Sequence, residues 1–154
     1  MTDAPDKWNA AANVAQAMAE LVVETRGGQF TDITGRLAGW LADIGAAEGL
    51  ITVFIRHTSA SLTIQENADP DVQADLVDAL STLAPAEVPY RHRSEGPDDM
   101  PAHIKSALTS TSLTIPVRDG RMTLGTWQAV YVIEHRERVH RRSLTVHFLG
   151  TGRS

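Results

Sequence analysis

The sequence predicts an α+β fold, with mainly antiparallel sheets packed as a sandwich and two or three helices outside. Three observations predict it. About seven short runs carry β-branched and aromatic residues, against only two or three runs at helical spacing. The strand-like runs cluster around tight turns instead of alternating with helices, so a parallel sheet of βαβ units is not expected. The 154 residues, 42% hydrophobic and 21% charged, suit one domain that buries about two-thirds of its unfolded surface without staples.

The elements follow in order. Residues 1–17, rich in Ala, Asn and Asp, read as an extension that is a short helix or disordered, and residues 18–154 as a single domain. Ala19 to Thr25 reads as a strand, and the Gly27-Gly28 turn predicts a hairpin returning through Phe30 to Ile33. Leu37, Trp40, Leu41 and Ile44 recur at helical spacing, with Thr34 as N-cap. Leu50 to Arg56 is a strand apolar on both faces, and Ser61 to Gln65 continues as strand. Asp69-Pro70 starts a helix, with Asp as N-cap and Pro at the first helical position. Val72, Leu76, Leu80 and Leu83 form its apolar stripe. Five prolines and glycines (Pro85, Pro89, Gly96, Pro97, Pro101) make residues 84–99 a long loop, and loops of that length are usually functional or mobile. Met100 to Leu108 is a short helix capped near Asp98 or Asp99. Ser112 to Val117 and Met122 to Leu124 flank a tight turn, and Gly125-Thr126 marks a bulge. Trp127 to Glu134 is a core strand, which places Trp127 on the face of Ala129, Tyr131 and Ile133 and predicts core packing for it. Arg136 to Arg142 is a basic connection, and Ser143 to Leu149 closes the fold.

Composition excludes several classes. There is no cysteine, which removes disulfides, thiolate metal sites and cysteine nucleophiles, and limits any metal site to nitrogen and oxygen ligands. No apolar run reaches the roughly 20 residues of a membrane span, and the start lacks the pattern of a secretory signal, so a cytoplasmic protein is expected. The net charge of −5 argues against nucleic acid as partner. That average hides an acidic middle, residues 66–99, followed by a basic end from Lys105 to Arg153. Solvated faces account for this. So does a fold that gathers both around a phosphorylated ligand, or a complementary contact between subunits.

Standard phosphate-loop, dinucleotide, zinc-protease and nucleophile-elbow motifs are missing. Polar groups instead stand at the ends of apolar elements. His57 shares the face of Ile51, Val53 and Ile55, at the mouth of the core, as a ligand, a general base or a satisfied core histidine. Glu66 shares the face of Leu62 and Ile64, so a buried or half-buried, partnered carboxylate is expected. His103 falls in the first turn of a helix, where the dipole disfavours imidazolium; a neutral His103 is a good ligand or donor, and Lys105 with the free amides offers an anion site. His57, His92 and His103 together are candidates for a divalent ion, zinc or magnesium. Glu134 to Arg142 is a solvated basic edge or a set of phosphate contacts.

Three stretches, HTSASLTIQENADPDVQADL, YRHRSEGPDDMPAHIKSALTSTSLTIPV and GRMTLGTWQAVYVIEHR, resemble in this order the YjbQ family, proteins sometimes described as secondary thiamine-phosphate synthases. The similarity runs from about Leu21 to Gly150. It implies a β-rich sandwich, a homotrimer with sites near subunit boundaries, and a thiamine phosphate synthase activity. That reaction joins hydroxymethylpyrimidine pyrophosphate to the thiazole phosphate and releases pyrophosphate. By position the resemblance carries His57, Glu66, His92, Asp99 and His103 as catalytic candidates, and Thr58, Asn67, Lys105, Thr126, Gln128 and Arg142 as substrate or phosphate contacts. Glu95, Trp127 and Glu134 also match the pattern, whereas Arg91 and Arg93 do not. Asp99 stands where many relatives carry Asn, while others share the Asp-Asp-Met-Pro form. Two other classes remain: a metal-assisted enzyme on a different small phosphorylated metabolite, and a non-catalytic trimer that binds a metal or small ligand.

Overall fold

The computed structural model describes residues 13–154, so most of the predicted N-terminal extension lies outside the described residues. The chain order is β1 (Ala15–Thr25), β2 (Phe30–Asp32), α1 (Thr34–Asp43), β3 (Ala46–Ile55), β4 (Ala60–Glu66), α2 (Pro70–Leu83), α3 (Asp99–Leu108), β5 (Ser112–Arg118), β6 (Arg121–Met122), β7 (Gln128–Glu134) and β8 (His140–Gly152). The fold is α+β, as the sequence predicts. Strands in the order β1-β8-β3-β5-β6 make a five-stranded sheet, and β2-β7-β4 make a three-stranded one. Every pairing is antiparallel.

Period-two alternation fills the space between the sheets. Val23, Ile51, Val53, Ile55, Ile115, Val117, Leu144, Val146 and Phe148 point inward from the larger sheet. Leu62, Val130 and Val132 meet them from the smaller one, and Leu37 and Leu41 of α1 close one end. Gly49 permits a close strand crossing: a Cβ there would sit 2.2 Å from the Leu149 carbonyl oxygen.

Several expectations change. β1 begins at Ala15, so its pairing with β8 takes in the last residues of the stretch read as an extension. The predicted hairpin does not form, because β1 pairs with β8 and β2 with β7, in different sheets. The Gly-Gly turn is instead held by the Gly28 amide donating to the Arg136 carbonyl at 3.1 Å. Thr34 does not cap α1; its hydroxyl accepts from the Val130 amide at 2.8 Å, tying the helix to β7. Gly125-Thr126 is no bulge within one sheet but part of the turn that carries the chain from β6 to β7, across from one sheet to the other. Trp127 precedes the first paired residue of β7 and is 63% exposed, not packed in the core.

The start of α2 is as expected: Asp69 Oδ1 accepts from the Asp71 amide at 2.9 Å, with Pro70 at the first position. Yet α2 has no fully buried residue, and Leu83 is exposed. On the far side of the larger sheet Met18, Val22, Leu50, Phe54 and Leu149 stand exposed on one face, with no helix over them among the described residues.

Candidate functional site

The long loop and α3 bring together His92, Asp99 and His103. Asp99 opens α3 and His103 lies one turn later, so both sit on one helix face. Asp99 is 4% exposed. Its Oδ2 lies 2.7 Å from His92 Nε2 and 3.3 Å from His103 Nε2. The two imidazole rings meet edge to face at 5.3 Å. One donor atom from each of the three residues falls within 4.8 Å of the others. Two imidazole nitrogens and a carboxylate oxygen are a donor set suited to a divalent ion, zinc or a harder metal. The set fits on separation as well, since ligand atoms about 2.1 Å from one ion stand roughly 3 Å apart. A hollow of 130 Å³ lined by Val88, Tyr90, His92, Arg93 and Met100 opens beside it.

Arg136 holds this cluster from behind. Its Nη1 donates to Asp99 Oδ1 at 2.8 Å, its Nε to Asp98 Oδ2 at 3.0 Å, and its Nη2 to the Glu95 carbonyl at 3.0 Å. The acidic loop and the basic end of the chain thus do come into contact. Burial works against ionisation of Asp99, but the His92 hydrogen bond and the charges of His103 and Arg136 outweigh it and hold the carboxyl below its ordinary range.

His57 is not part of that cluster, which corrects the grouping of His57 with His92 and His103. It sits at the mouth between the sheets, half-buried, as its face on the strand implies. Its Nε2 accepts from the Ser143 amide at 2.8 Å, and its Nδ1 lies 3.4 Å from Arg142 Nη1. Burial first, then the Arg142 charge, lowers its pKa. Arg142 is buried against Glu134, which is 0% exposed: Nε reaches Oε1 at 2.8 Å, and Nη2 pairs with Oε2. Thr25 donates its hydroxyl to the same carboxylate. Desolvation pushes the Glu134 pKa up, but the bonds from Arg142, Thr25 and the Arg136 amide prevail and depress it. Arg142 is therefore a buried ion-pair partner rather than part of a solvated basic edge.

The remaining candidates lie elsewhere. In the β4–β7 pair Ala60 faces Glu134 at one end and Glu66 faces Gln128 at the other. Six residues of strand separate these ends, about 20 Å. Glu66, Asn67, Thr126 and Gln128 thus occupy the end of the molecule away from Glu134 and Arg142. Glu66 is half-buried, as expected, and Oε2 accepts from the Asp69 amide at 3.3 Å. Asn67 donates its backbone amide to the Trp127 carbonyl at 2.9 Å, and Gln128 Oε1 accepts from the Gly125 amide at 2.8 Å, closing the turn before β7. Thr58, Thr126 and Glu95 are exposed. Lys105, half-buried, reaches Ser81 Oγ at 3.5 Å.

Sequence reasoning gave no site role to Thr25 or Ser59, and it placed His135 and Arg136 only within a basic edge or a set of phosphate contacts, not at the buried Ser61 bond and the Asp98–Asp99 pair where they lie. His135 is buried and exchanges a 2.8 Å hydrogen bond with Ser61 Oγ. A usable signal existed for Thr25 alone, whose alternation with Val23 puts it on the inner face.

This is a small two-sheet α+β protein with a histidine–carboxylate cluster on a helix start and a buried Glu–Arg pair at the mouth of its core. The chain belongs to the UPF0047 protein YjbQ-like family, whose model matches residues 19–151. It is 49% identical over 143 residues to UPF0047 protein sll1880 of Synechocystis sp., covering 92% of this chain and 97% of that one. It is 43% identical over 117 residues to UPF0047 protein YjbQ of Escherichia coli O157:H7, covering 75% and 83%. The crystal structure of a yjbQ/UPF0047 family protein from Clostridium acetobutylicum matches with a TM-score of 0.78 at 36% identity, covering 84% of this chain and 98% of that one. A YbjQ-like protein of unknown function from Sulfolobus solfataricus P2 shares the fold at a TM-score of 0.82 and 21% identity, covering 90% and 99%. Among the described residues, no helix is long and apolar enough to cross a membrane.

Proposed function

We propose that this protein is a metal-assisted enzyme acting on a small phosphorylated metabolite. The observation that carries this is the convergence of His92 and His103 on one oxygen of the buried Asp99. A divalent ion held there would stabilise negative charge on a departing phosphate or pyrophosphate. The chain's own groups supply the rest. Arg136 fixes the Asp99 carboxylate, and Lys105, two residues beyond His103 in α3, turns toward Ser81 of α2 and the buried His135. Formation of thiamine phosphate is the first reaction to try: a carbon–nitrogen bond forms, a carbon–oxygen bond breaks, and pyrophosphate leaves with the bonding pair.

The proposal includes a homotrimer. The exposed apolar residues on the outer face of the larger sheet support self-association. So does the separation of the Thr126–Gln128 end from the Glu134–Arg142 end, because only a neighbouring copy would bring both to one ligand.

The test is His103→Ala, with bound metal measured by elemental analysis and product by turnover on the two thiamine precursors. Wild-type protein should hold close to one divalent ion per chain, and the variant should lose at least ten-fold in metal affinity together with its activity. Full turnover by chelated protein would refute the metal role. Metal binding without turnover on any phosphorylated substrate would leave a ligand-binding trimer.

A further inference from the structure

At the mouth between the sheets the hydrogen bonds contain one donor too many. Ser143 sits in β8, and its amide donates to His57 Nε2 at 2.8 Å. Nε2 is therefore the accepting nitrogen, and the neutral ring carries its proton on Nδ1. Nδ1 faces Arg142 Nη1 at 3.4 Å. A guanidinium has no acceptor, so two N–H groups point at one another.

Neither group is free to turn away. Arg142 Nε and Nη2 are held by the two oxygens of Glu134, and Nη2 also donates to the Ser59 carbonyl at 3.2 Å and the Ser59 hydroxyl at 3.0 Å. The Arg142 side chain is 5% exposed. His57 is pinned by the amide at its other nitrogen. Facing donors are stable only when an acceptor sits between them. An oxygen about 2.8 Å from each nitrogen closes a triangle on the 3.4 Å edge. His57 is half-buried, so such an oxygen can reach it from solvent.

We propose that His57 Nδ1–H and Arg142 Nη1–H form a two-donor seat for one oxygen of a substrate phosphoryl group. The seat lies apart from the His92–Asp99–His103 cluster, and it rests on the proposed function only for the phosphoryl identity of its occupant. Around His57 the Arg142 and Arg56 guanidiniums face the Glu134 carboxylate, and Glu20 pairs with Arg56 at 3.2 Å, so the local charges nearly balance. Glu134 already balances the guanidinium, so the seat selects through two directed hydrogen bonds more than through net charge.

The experiment titrates inorganic phosphate, and separately acetate, into chelator-treated wild-type protein at neutral pH. The His57 ring is followed by long-range proton–nitrogen NMR. Before addition His57 should show the Nδ1-protonated tautomer, and phosphate should shift its Nδ1–H saturably. By isothermal titration calorimetry of both proteins, His57→Ala should bind phosphate at least ten-fold more weakly than wild type. The chelator removes any metal contribution, so a failure of the metal reading leaves this result intact. A response to acetate alone would overturn the phosphoryl assignment. An Nε2-protonated ring in wild-type protein, or unchanged phosphate affinity in His57→Ala, would overturn the seat itself.

Discussion

Lowering the pH from about 7.5 to about 5 should destabilise the fold through His135, which is 5% exposed. Its Nε2 pairs with Ser61 Oγ, to which Thr109 also donates. Lys105 faces it from α3 and Arg142 from β8, with Glu134 beside it on its own strand. Burial, then the Lys105 charge, lowers the His135 pKa from 6.5 to about 4. The sign follows from proton counting. Between those values the unfolded chain binds a proton that the fold does not, so stability is complete above the unfolded value and drains away as pH falls toward the folded one. The whole span corresponds to about 3 kcal/mol, of which about 2 kcal/mol is lost by pH 5. Glu134, whose depressed pKa makes its contribution fail only at lower pH, stays ionised at that endpoint. With a urea slope of about 1–3 kcal/mol/M, the wild-type midpoint should fall by roughly 1 M. His135→Gln keeps an acceptor for Ser61 and has no proton to gain, so it should lose about 2 kcal/mol less over the same interval. Denaturing both proteins at the same concentration keeps the mass-action contribution of assembly alike in the comparison. Equal losses in the two proteins would refute the argument.

Two further outcomes are expected. Asp69→Ala removes the side chain that accepts from the Asp71 amide, and should cost about 1 kcal/mol in a denaturant titration. Phe54→Glu places a charge on the outer face of the larger sheet, where the residue is 45% exposed. It should leave a folded chain, as judged by circular dichroism, whose mass in light scattering falls to that of a single protomer.

Local rules made much of this fold legible. Asp69-Pro70 signals a helix start by cap chemistry alone, and the structure begins α2 there. Alternation through Ile51, Val53 and Ile55 gives the inward face of β3 and so places His57 at the mouth. What failed was pairing over distance. The Gly-Gly turn reads as a hairpin, yet its flanking strands join different sheets, because β1 finds eleven residues of register with β8. Trp127 reads as core by period two, but the period starts only where pairing starts, one residue later. The histidines show the same limit. His92 and His103 meet because Asp99 and His103 share a helix turn and the loop folds back on them. Nothing in the spacing distinguishes His57, which long-range pairing of β3 with β8 delivers to Ser143 instead.

The end of β7 explains why these networks hold together. Glu134 and His135 are successive, so they point to opposite faces of the smaller sheet. Glu134 turns inward to Arg142 and Thr25, and His135 outward to Ser61. Arg136 then leaves the strand, donates its amide to Glu134 Oε2 at 3.1 Å, and reaches over to Asp98 and Asp99. A slip of β7 by one residue would bury a histidine against a guanidinium and turn a carboxylate toward Ser61 and Lys105. It would also pull Arg136 off the loop that carries His92. A buried ion pair adds little net stability, but breaking one is costly, so the Glu134–Arg142 contact penalises every register except this one. The same penalty sets the position of the histidine–carboxylate cluster relative to the mouth of the core. One strand register therefore aligns the proposed metal ligands and the proposed oxyanion seat together.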